Sequence, residues 1–109
     1  MQYVLSRFRI KDGMKDRAVT FLADLHRNHQ AEMDGVLKDV GMTLDCSFVE
    51  STGRGDFVYI FKRLEDLSRL RGQLAKLDSG IYKKINKWAA ECLEEGEDLY
   101  AEAAFDRMD

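Results

Sequence analysis

The stretch MTLDCSFVESTGRGDFVYIFK, residues 42–62, holds two alternating runs on either side of a glycine-rich turn. Apolar side chains occupy every second position in residues 42–50, and the same period resumes in residues 56–62. Such alternation over short runs is typical of half-buried β-strands. Because the connection through Gly53-Arg54-Gly55 is so short, the stretch predicts an antiparallel β-hairpin.

Segments with a strand-like or a helical spacing of apolar residues flank this hairpin on both sides. Residues 3–10 alternate like a strand, whereas residues 14–40 carry apolar side chains at steps of three and four, which predict one continuous helix ending at Gly41. Two shorter helical patterns follow in residues 64–77 and 81–93; Gly96 is predicted to end the second, and residues 99–105 alternate as a last strand. This order predicts a single α+β domain over residues 1–109, with a ferredoxin-like split βαβ arrangement. Its four-stranded antiparallel sheet has the first and third strands in the centre and helices on one face.

Composition and charge exclude several classes of function. The chain of 109 residues has 17 basic and 20 acidic residues, a net charge of −3, and its basic residues do not cluster. We therefore expect no nucleic-acid binding, which relies on concentrated positive charge. The sequence contains no long apolar run, so we expect neither a signal peptide nor a membrane-spanning segment. Cys46 and Cys92 lack metal-type spacing and indicate buried thiols in a reducing, cytoplasmic location.

The sheet face turned away from the helices is predicted to be unusually apolar. We expect Val4, Phe8 and Ile10 to meet the helices, together with the apolar sets of the other strands, which are Leu44, Cys46, Phe48, Val58, Ile60, Leu99, Ala101 and Phe105. The opposite face then holds Tyr3, Leu5, Arg7, Arg9, Asp45, Ser47, Val49, Phe57, Tyr59, Phe61, Tyr100, Glu102 and Ala104. An apolar surface of this kind is normally covered by a partner. A second copy would cover it through a twofold contact, so we predict a homodimer.

The chain resembles the dimeric α+β barrel superfamily of ferredoxin-like folds over essentially its whole length, and is most similar to an uncharacterised bacterial branch. The resemblance rests on four stretches: residues 7–13, residues 41–50, residues 55–59 and residues 91–95. It implies a sheet that pairs with that of a second copy to form a barrel. The superfamily includes cofactor-independent monooxygenases, haem-dependent enzymes, muconolactone-isomerase-like proteins and binding proteins, so the resemblance does not choose among these activities. We expect no cofactor.

Six residues form the candidate ligand site on the predicted outer face. A basic group, two acidic groups and an aromatic wall share this face: Arg7, Asp45, Phe57, Tyr59, Phe61 and Glu102. A guanidinium pairs well with a carboxylate, and aromatic rings can bury an apolar tail. This combination fits an amphipathic anion such as a fatty acid or an aromatic acid. Alternatively, Arg7 pairs with Asp45 or Glu102, within one chain or across the dimer, and fixes its register.

A few other residues are candidates for acid–base catalysis or metal binding. His29 and Tyr59 are candidate acid–base groups. His26 and His29, with Glu32, have a spacing that can meet a metal, but the ligand set is incomplete, so we expect no metal site. His29 also fits a hydrogen-bonded structural histidine, and Trp88 fits the core or a cavity wall.

Three functions remain open at this point. The first is a cytoplasmic homodimer that binds a small amphipathic molecule. The second is a cofactor-independent monooxygenase or isomerase acting on an aromatic or polyketide-like substrate. The third is a purely structural dimerisation module.

Overall fold

The computed structural model describes residues 1–107, so the last two residues of the predicted domain lie outside the described part. Four strands and four helices follow one another in the order β1 (Gln2–Arg9), α1 (Lys15–Asn28), α2 (Gln30–Val40), β2 (Met42–Thr52), β3 (Gly55–Leu64), α3 (Leu67–Lys76), α4 (Gly80–Cys92) and β4 (Glu97–Tyr100). The strands form one antiparallel sheet in the order β2-β3-β1-β4. The predicted α+β class, with the first and third strands central, is therefore confirmed.

The helices cover one face of the sheet through two separate apolar clusters. The first joins Ile10 and Val58 of the sheet to Trp88 and Cys92 of α4 and to Ala18 of α1. The second, toward the other end of the strands, consists of Val4, Val40, Leu64 and Leu70. All of these side chains are buried. Because the two clusters lie at different ends of the strands, the core consists of two parts along the strand direction.

The long first helix is interrupted, which corrects the prediction of one continuous helix. His29 adopts φ −128° and ψ 26°, outside the helical range, and separates α1 from α2. Its N–H nevertheless donates to the carbonyl of Leu25 at 3.1 Å, and its own carbonyl accepts from the N–H of Met33 at 3.0 Å. The interruption is therefore a kink, and helical hydrogen bonding continues on both sides of it. At the far end, Gly41 closes α2 with φ 72°, as predicted.

The strand β2 contains a β-bulge, which overturns its predicted face assignment. Met42 pairs with Leu64 and Leu44 pairs with Arg63, so Thr43 is an additional residue in β2. The Thr43 hydroxyl accepts from Arg63 Nε at 2.9 Å and donates to the Arg63 carbonyl at 3.2 Å. Beyond an extra residue the alternation inverts. The residues predicted to meet the helices, Leu44, Cys46 and Phe48, therefore lie on the other face, and Asp45, Ser47 and Val49 lie on the helix side.

The last strand is shorter and earlier than predicted. Helix α4 ends at Cys92 rather than at Gly96, and β4 spans Glu97–Tyr100 rather than residues 99–105. Leu99 pairs with Leu5, whereas Tyr100 pairs with Val4, so the predicted faces of these two residues are exchanged. Gly96 lies against the β1 backbone and the Phe8 ring, where a side chain has no room. The close approach of Gly96 to β1 explains the early start of the strand.

Candidate functional site

The sheet face turned away from the helices is called the open face below. Strand pairing places on it the following residues: Tyr3, Leu5, Arg7 and Arg9 of β1; Leu44, Cys46, Phe48 and Glu50 of β2; Phe57, Tyr59, Phe61 and Arg63 of β3; and Glu97 and Leu99 of β4. Phe48 is 58% exposed and Leu99 is 50% exposed. The predicted apolar character of this face therefore holds, although its membership in β2 and β4 differs.

Four of the six predicted ligand-site residues share the open face. Arg7 pairs directly with Tyr59, and Phe57 and Phe61 are the next residues of β3 on the same side. Asp45 does not join them, because the bulge at Thr43 turns it toward the helices. Glu102 does not join them either, since it lies beyond the end of β4 and is exposed.

Arg7 has two contacts in this site, and neither is a hydrogen bond. Its guanidinium carbon lies 4.5 Å from the centre of the Phe57 ring, a cation–π distance. Its Nη1 lies 3.7 Å from Glu97 Oε1, and both side chains are largely exposed. Within residues 1–107, the N–H groups of this guanidinium thus remain available to an acceptor.

A pocket of about 360 Å³ opens beside this guanidinium. Its walls are formed by one end of the open face and the segment before β4, namely Arg7, Arg9, Phe57, Glu95, Gly96 and Glu97. The second arginine is already paired, since Arg9 contacts Glu94 at 2.8 Å and Asp12 at 3.1 Å. Arg7 is therefore the cation of this pocket with unused donors.

The aromatic wall beside Arg7 includes a tyrosine whose hydroxyl is already bonded. Tyr59 donates to Glu50 Oε1 at 2.8 Å, and the Tyr59 and Phe57 rings lie 6.5 Å apart between centres. The hydrogen bond to Glu50 raises the pKa of Tyr59 above its ordinary value. A tyrosine that is protonated at neutral pH is a poor general base, and the proton of this hydroxyl is already bonded to Glu50, so Tyr59 fits a wall residue.

The other candidate acid–base group, His29, belongs to the kink between α1 and α2. Its Nδ1 lies 2.7 Å from Glu32 Oε1 and its Nε2 lies 3.2 Å from Asp24 Oδ2. The bond to Glu32 raises the pKa of His29, while Gln30 engages the neighbouring His26. Both ring nitrogens of His29 are thus used locally, which fits the hydrogen-bonded structural histidine. The part of the chain that the structure describes holds no cluster of three or more side chains able to bind a metal.

A row of polar side chains crosses the helix side of the sheet, one from each strand, and is called the polar row below. Lys62 Nζ donates to the Ser6 hydroxyl at 3.1 Å, and that hydroxyl donates to Asp98 Oδ1 at 2.6 Å. Ser6 is completely buried. Asp45, the direct partner of Lys62 in the sheet, is the β2 member of the row by position. The residue is exposed overall, but desolvation of its carboxyl raises the pKa of Asp45, and the charge of Lys62 lowers it. The row separates the two apolar clusters.

Sequence reasoning missed the polar row because two of its members were misplaced or unassigned. Asp45 was expected on the open face, and Asp98 was expected before the last strand. The available signal was Ser6, a polar residue in the buried set of β1 between Val4 and Phe8. A polar residue at such a position must find hydrogen-bond partners, and here they come from the neighbouring strands.

Trp88 lies at the base of a groove between α1 and α4. Its ring stacks on Phe21 at 5.1 Å between centres, and it is only 5% exposed. The groove has a volume of about 610 Å³, with Asp16, Asp24, Lys84 and Lys87 among its lining residues. Trp88 therefore belongs to the core, as predicted, and it also forms a wall of this groove, which lies between two helices and not between the sheet and the helices.

The sheet topology and the helices on one face define a ferredoxin-like α+β protein, as predicted. The chain belongs to a family of unknown function, DUF6176, whose model matches residues 1–107. No functionally curated protein shows significant sequence similarity to it. None of the helices in residues 1–107 has the length and apolar character needed to cross a membrane.

Solved structures confirm this fold at low sequence identity. An uncharacterised NIPSNAP domain protein from Burkholderia xenovorans superimposes with a TM-score of 0.65 and 16% identity, covering 100% of both chains. A dimeric ferredoxin-like protein from an uncultured marine organism gives 0.67 and 9%, covering 98% of this chain and 100% of its own. An antibiotic biosynthesis monooxygenase gives 0.59 and 16%, covering 95% and 99%. At such identities the similarity concerns the fold alone.

Proposed function

We propose that the protein is a homodimer in which the open faces of two copies meet and enclose a site for a small amphipathic anion. The proposal draws on the apolar open face, with Phe48 and Leu99 at least half exposed in the single chain. Contiguous apolar surface of this kind marks an interaction site. A solved relative of the same fold is described as dimeric, which agrees with the proposal.

The observation that carries the ligand proposal is the state of Arg7. Its guanidinium lies over Phe57, makes no hydrogen bond within residues 1–107, and borders a pocket of about 360 Å³. Pockets of this size are common for small ligands. A carboxylate would accept two N–H bonds from Arg7, while the tail would lie along Tyr59 and Phe61. The competing contact with Glu97 is exposed, and such pairs contribute little free energy.

Replacing Arg7 with methionine tests this site. Methionine keeps much of the apolar stem but removes the donors, and a hydrogen bond to a charged group contributes about 1.5–3 kcal/mol. Isothermal titration with decanoate and with cinnamate should show affinity falling by roughly 10- to 150-fold. Arg27→Met, on the exposed side of α1, is the matched control and should bind as the parent does.

Two outcomes would contradict the ligand proposal. If neither acid binds the unmodified protein, the open face is a dimer contact without a ligand site. If both acids bind Arg7→Met with parental affinity, Arg7 only pairs with Glu97. Native mass spectrometry of the purified protein would report any co-purified acid and the dimer mass in the same spectrum.

The thiols support a reducing, cytoplasmic location as part of the proposal. Cys46 is half-buried on the open face, Cys92 is fully buried in the first cluster, and neither is in a disulfide. Free thiols are typical of proteins kept in reducing compartments. A thiol at the proposed dimer contact is also compatible with this location.

A second candidate function, a cofactor-independent monooxygenase or isomerase, is favoured by the polar row. Both reactions on an aromatic or polyketide-like substrate can begin with removal of a proton from carbon. A carboxyl with a raised pKa, such as that of Asp45, is suited to accept that proton. The Lys62 ammonium, which uses one N–H on the Ser6 hydroxyl, would then donate a remaining N–H to the developing oxyanion.

Proton exchange in heavy water separates this candidate from simple binding. If it is correct, the protein accelerates exchange of the acidic α-protons of phenylacetone, followed by proton NMR, and Asp45→Asn abolishes the acceleration. Asp39→Asn, on the exposed side of α2, should keep it. Exchange at the buffer rate with the unmodified protein would leave the polar row a structural feature of the core.

A further inference from the structure

We infer that residues 101–107, called the C-terminal arm below, insert Phe105 into the open face of a second copy of this chain. The inference rests on the proposed homodimer and goes beyond it, because it assigns part of each interface to a segment outside the sheet. The predicted strand over residues 99–105 stops at Tyr100, so the arm is free of strand pairing beyond the backbone bond from Ala101 to Tyr3 at 3.2 Å.

The arm is held at one end of the open face by Asp106. Asp106 Oδ2 accepts from Tyr3 Oη at 2.6 Å and from Arg63 Nη1 at 2.6 Å. The Arg63 and Asp106 side chains are only 14% and 20% exposed. Charge-assisted hydrogen bonds at such short distances hold a segment firmly. The arm is therefore positioned over the open face.

Phe105, the residue just before this anchor, points away from its own chain. It is 97% exposed, the highest value among the large exposed hydrophobic residues in the described part of the chain. Asp106 is turned onto the sheet, and the ring of the adjacent Phe105 is left uncovered by residues 1–107. A nearly fully exposed aromatic ring beside a fixed anchor has the properties of an interface residue.

A second copy is the occupant that fits both surfaces at once. In a twofold contact, each chain must offer a projecting group and the surface that receives it. This chain offers Phe105 as the projecting group and the exposed side chains of Phe48 and Leu99 on the receiving face. The arm also lies against the same face that the proposed homodimer covers, so its contact would be continuous with that interface.

Sedimentation equilibrium with a variant of Phe105 tests the inference. Phe105→Ala should weaken the dimer about tenfold or more, as truncation of an interface aromatic does. Asp106→Asn, which weakens the anchor but keeps Phe105, should weaken it less. Val19→Ala removes an exposed apolar side chain from α1 and should leave the dimer unchanged.

A photo-crosslinking phenylalanine analogue at position 105 supplies an independent readout. In a mixture of isotope-labelled and unlabelled protein, we expect mixed-isotope products attached to the open face. A parental dimer constant for Phe105→Ala, or crosslinks confined to single chains, would overturn the arm while leaving the homodimer in place. If the unmodified protein is a monomer at micromolar concentration, the proposed homodimer is wrong, and the insertion of Phe105 into a second copy is wrong as well.

Discussion

The substitution Phe61→Glu should convert the proposed homodimer into monomers. Phe61 lies in the middle of the open face, paired with Leu5 on one side and with Cys46 on the other. A carboxylate at this position would be buried without a partner when two open faces meet, at a cost of about 3–5 kcal/mol. Because both copies carry the substitution, this cost applies twice, and the dimer dissociation constant should rise by at least about 150-fold, as measured by sedimentation equilibrium.

The matched control for this substitution is Val19→Glu. Val19 is also an exposed apolar residue, but it lies on α1, on the opposite side of the sheet. The control should keep the parental dimer and a similar melting temperature. A Phe61→Glu protein that remains a dimer would mean that the open face is not the contact.

Alanine at position 96 should destabilise the fold more than such a small change normally does. An added Cβ would overlap with a carbon of the Phe8 ring and would lie 2.7 Å from the carbonyl oxygen of Arg7. The ring can move only by disturbing the first cluster, and the backbone oxygen belongs to a central strand. We expect the free energy of unfolding to fall by about 3 kcal/mol, at the upper end of typical overpacking costs.

Gly35→Ala is the matched control, and its expected effect has the opposite sign. Gly35 lies inside α2, and nothing lies within 4 Å of an added Cβ there. Because alanine favours the helix by about 0.5–1 kcal/mol, this variant should be more stable than the parent in urea unfolding. Equal stability of the two variants would show that Gly96 has space that the structure does not indicate.

The faces of the two central strands could be predicted from the sequence, although β3 continues to Leu64, where a helix was expected to begin. Their alternation in β1 and β3 is uninterrupted, and each has a neighbour on both sides that fixes its register. Strand pairing accordingly places Arg7 on the same sheet face as Phe57, Tyr59 and Phe61. The ligand that we assign to this group stays a prediction.

The edges of the sheet could not be predicted, because local alternation does not reveal where pairing is interrupted. Thr43 looks like an ordinary strand residue, yet its bond to Arg63 stabilises an additional position in β2. Residues 101–105 continue to alternate, but the chain leaves the sheet at Tyr100. The apolar stripe of the first helix is likewise continuous across His29. The structure nevertheless has a kink there, where the His29 ring bonds to the carboxylates of Glu32 and Asp24.

The bulge at Thr43 also affects how substitutions can be transferred between related sequences. One inserted position decides whether the rest of β2 presents its cysteine and phenylalanine, or its aspartate and serine, on the open face. An insertion or deletion in this segment would thus replace an apolar β2 surface on the open face with a polar, acidic one, without altering any amino acid further along the strand. Alignments of β2 that ignore gaps near Thr43 would then compare residues from opposite faces.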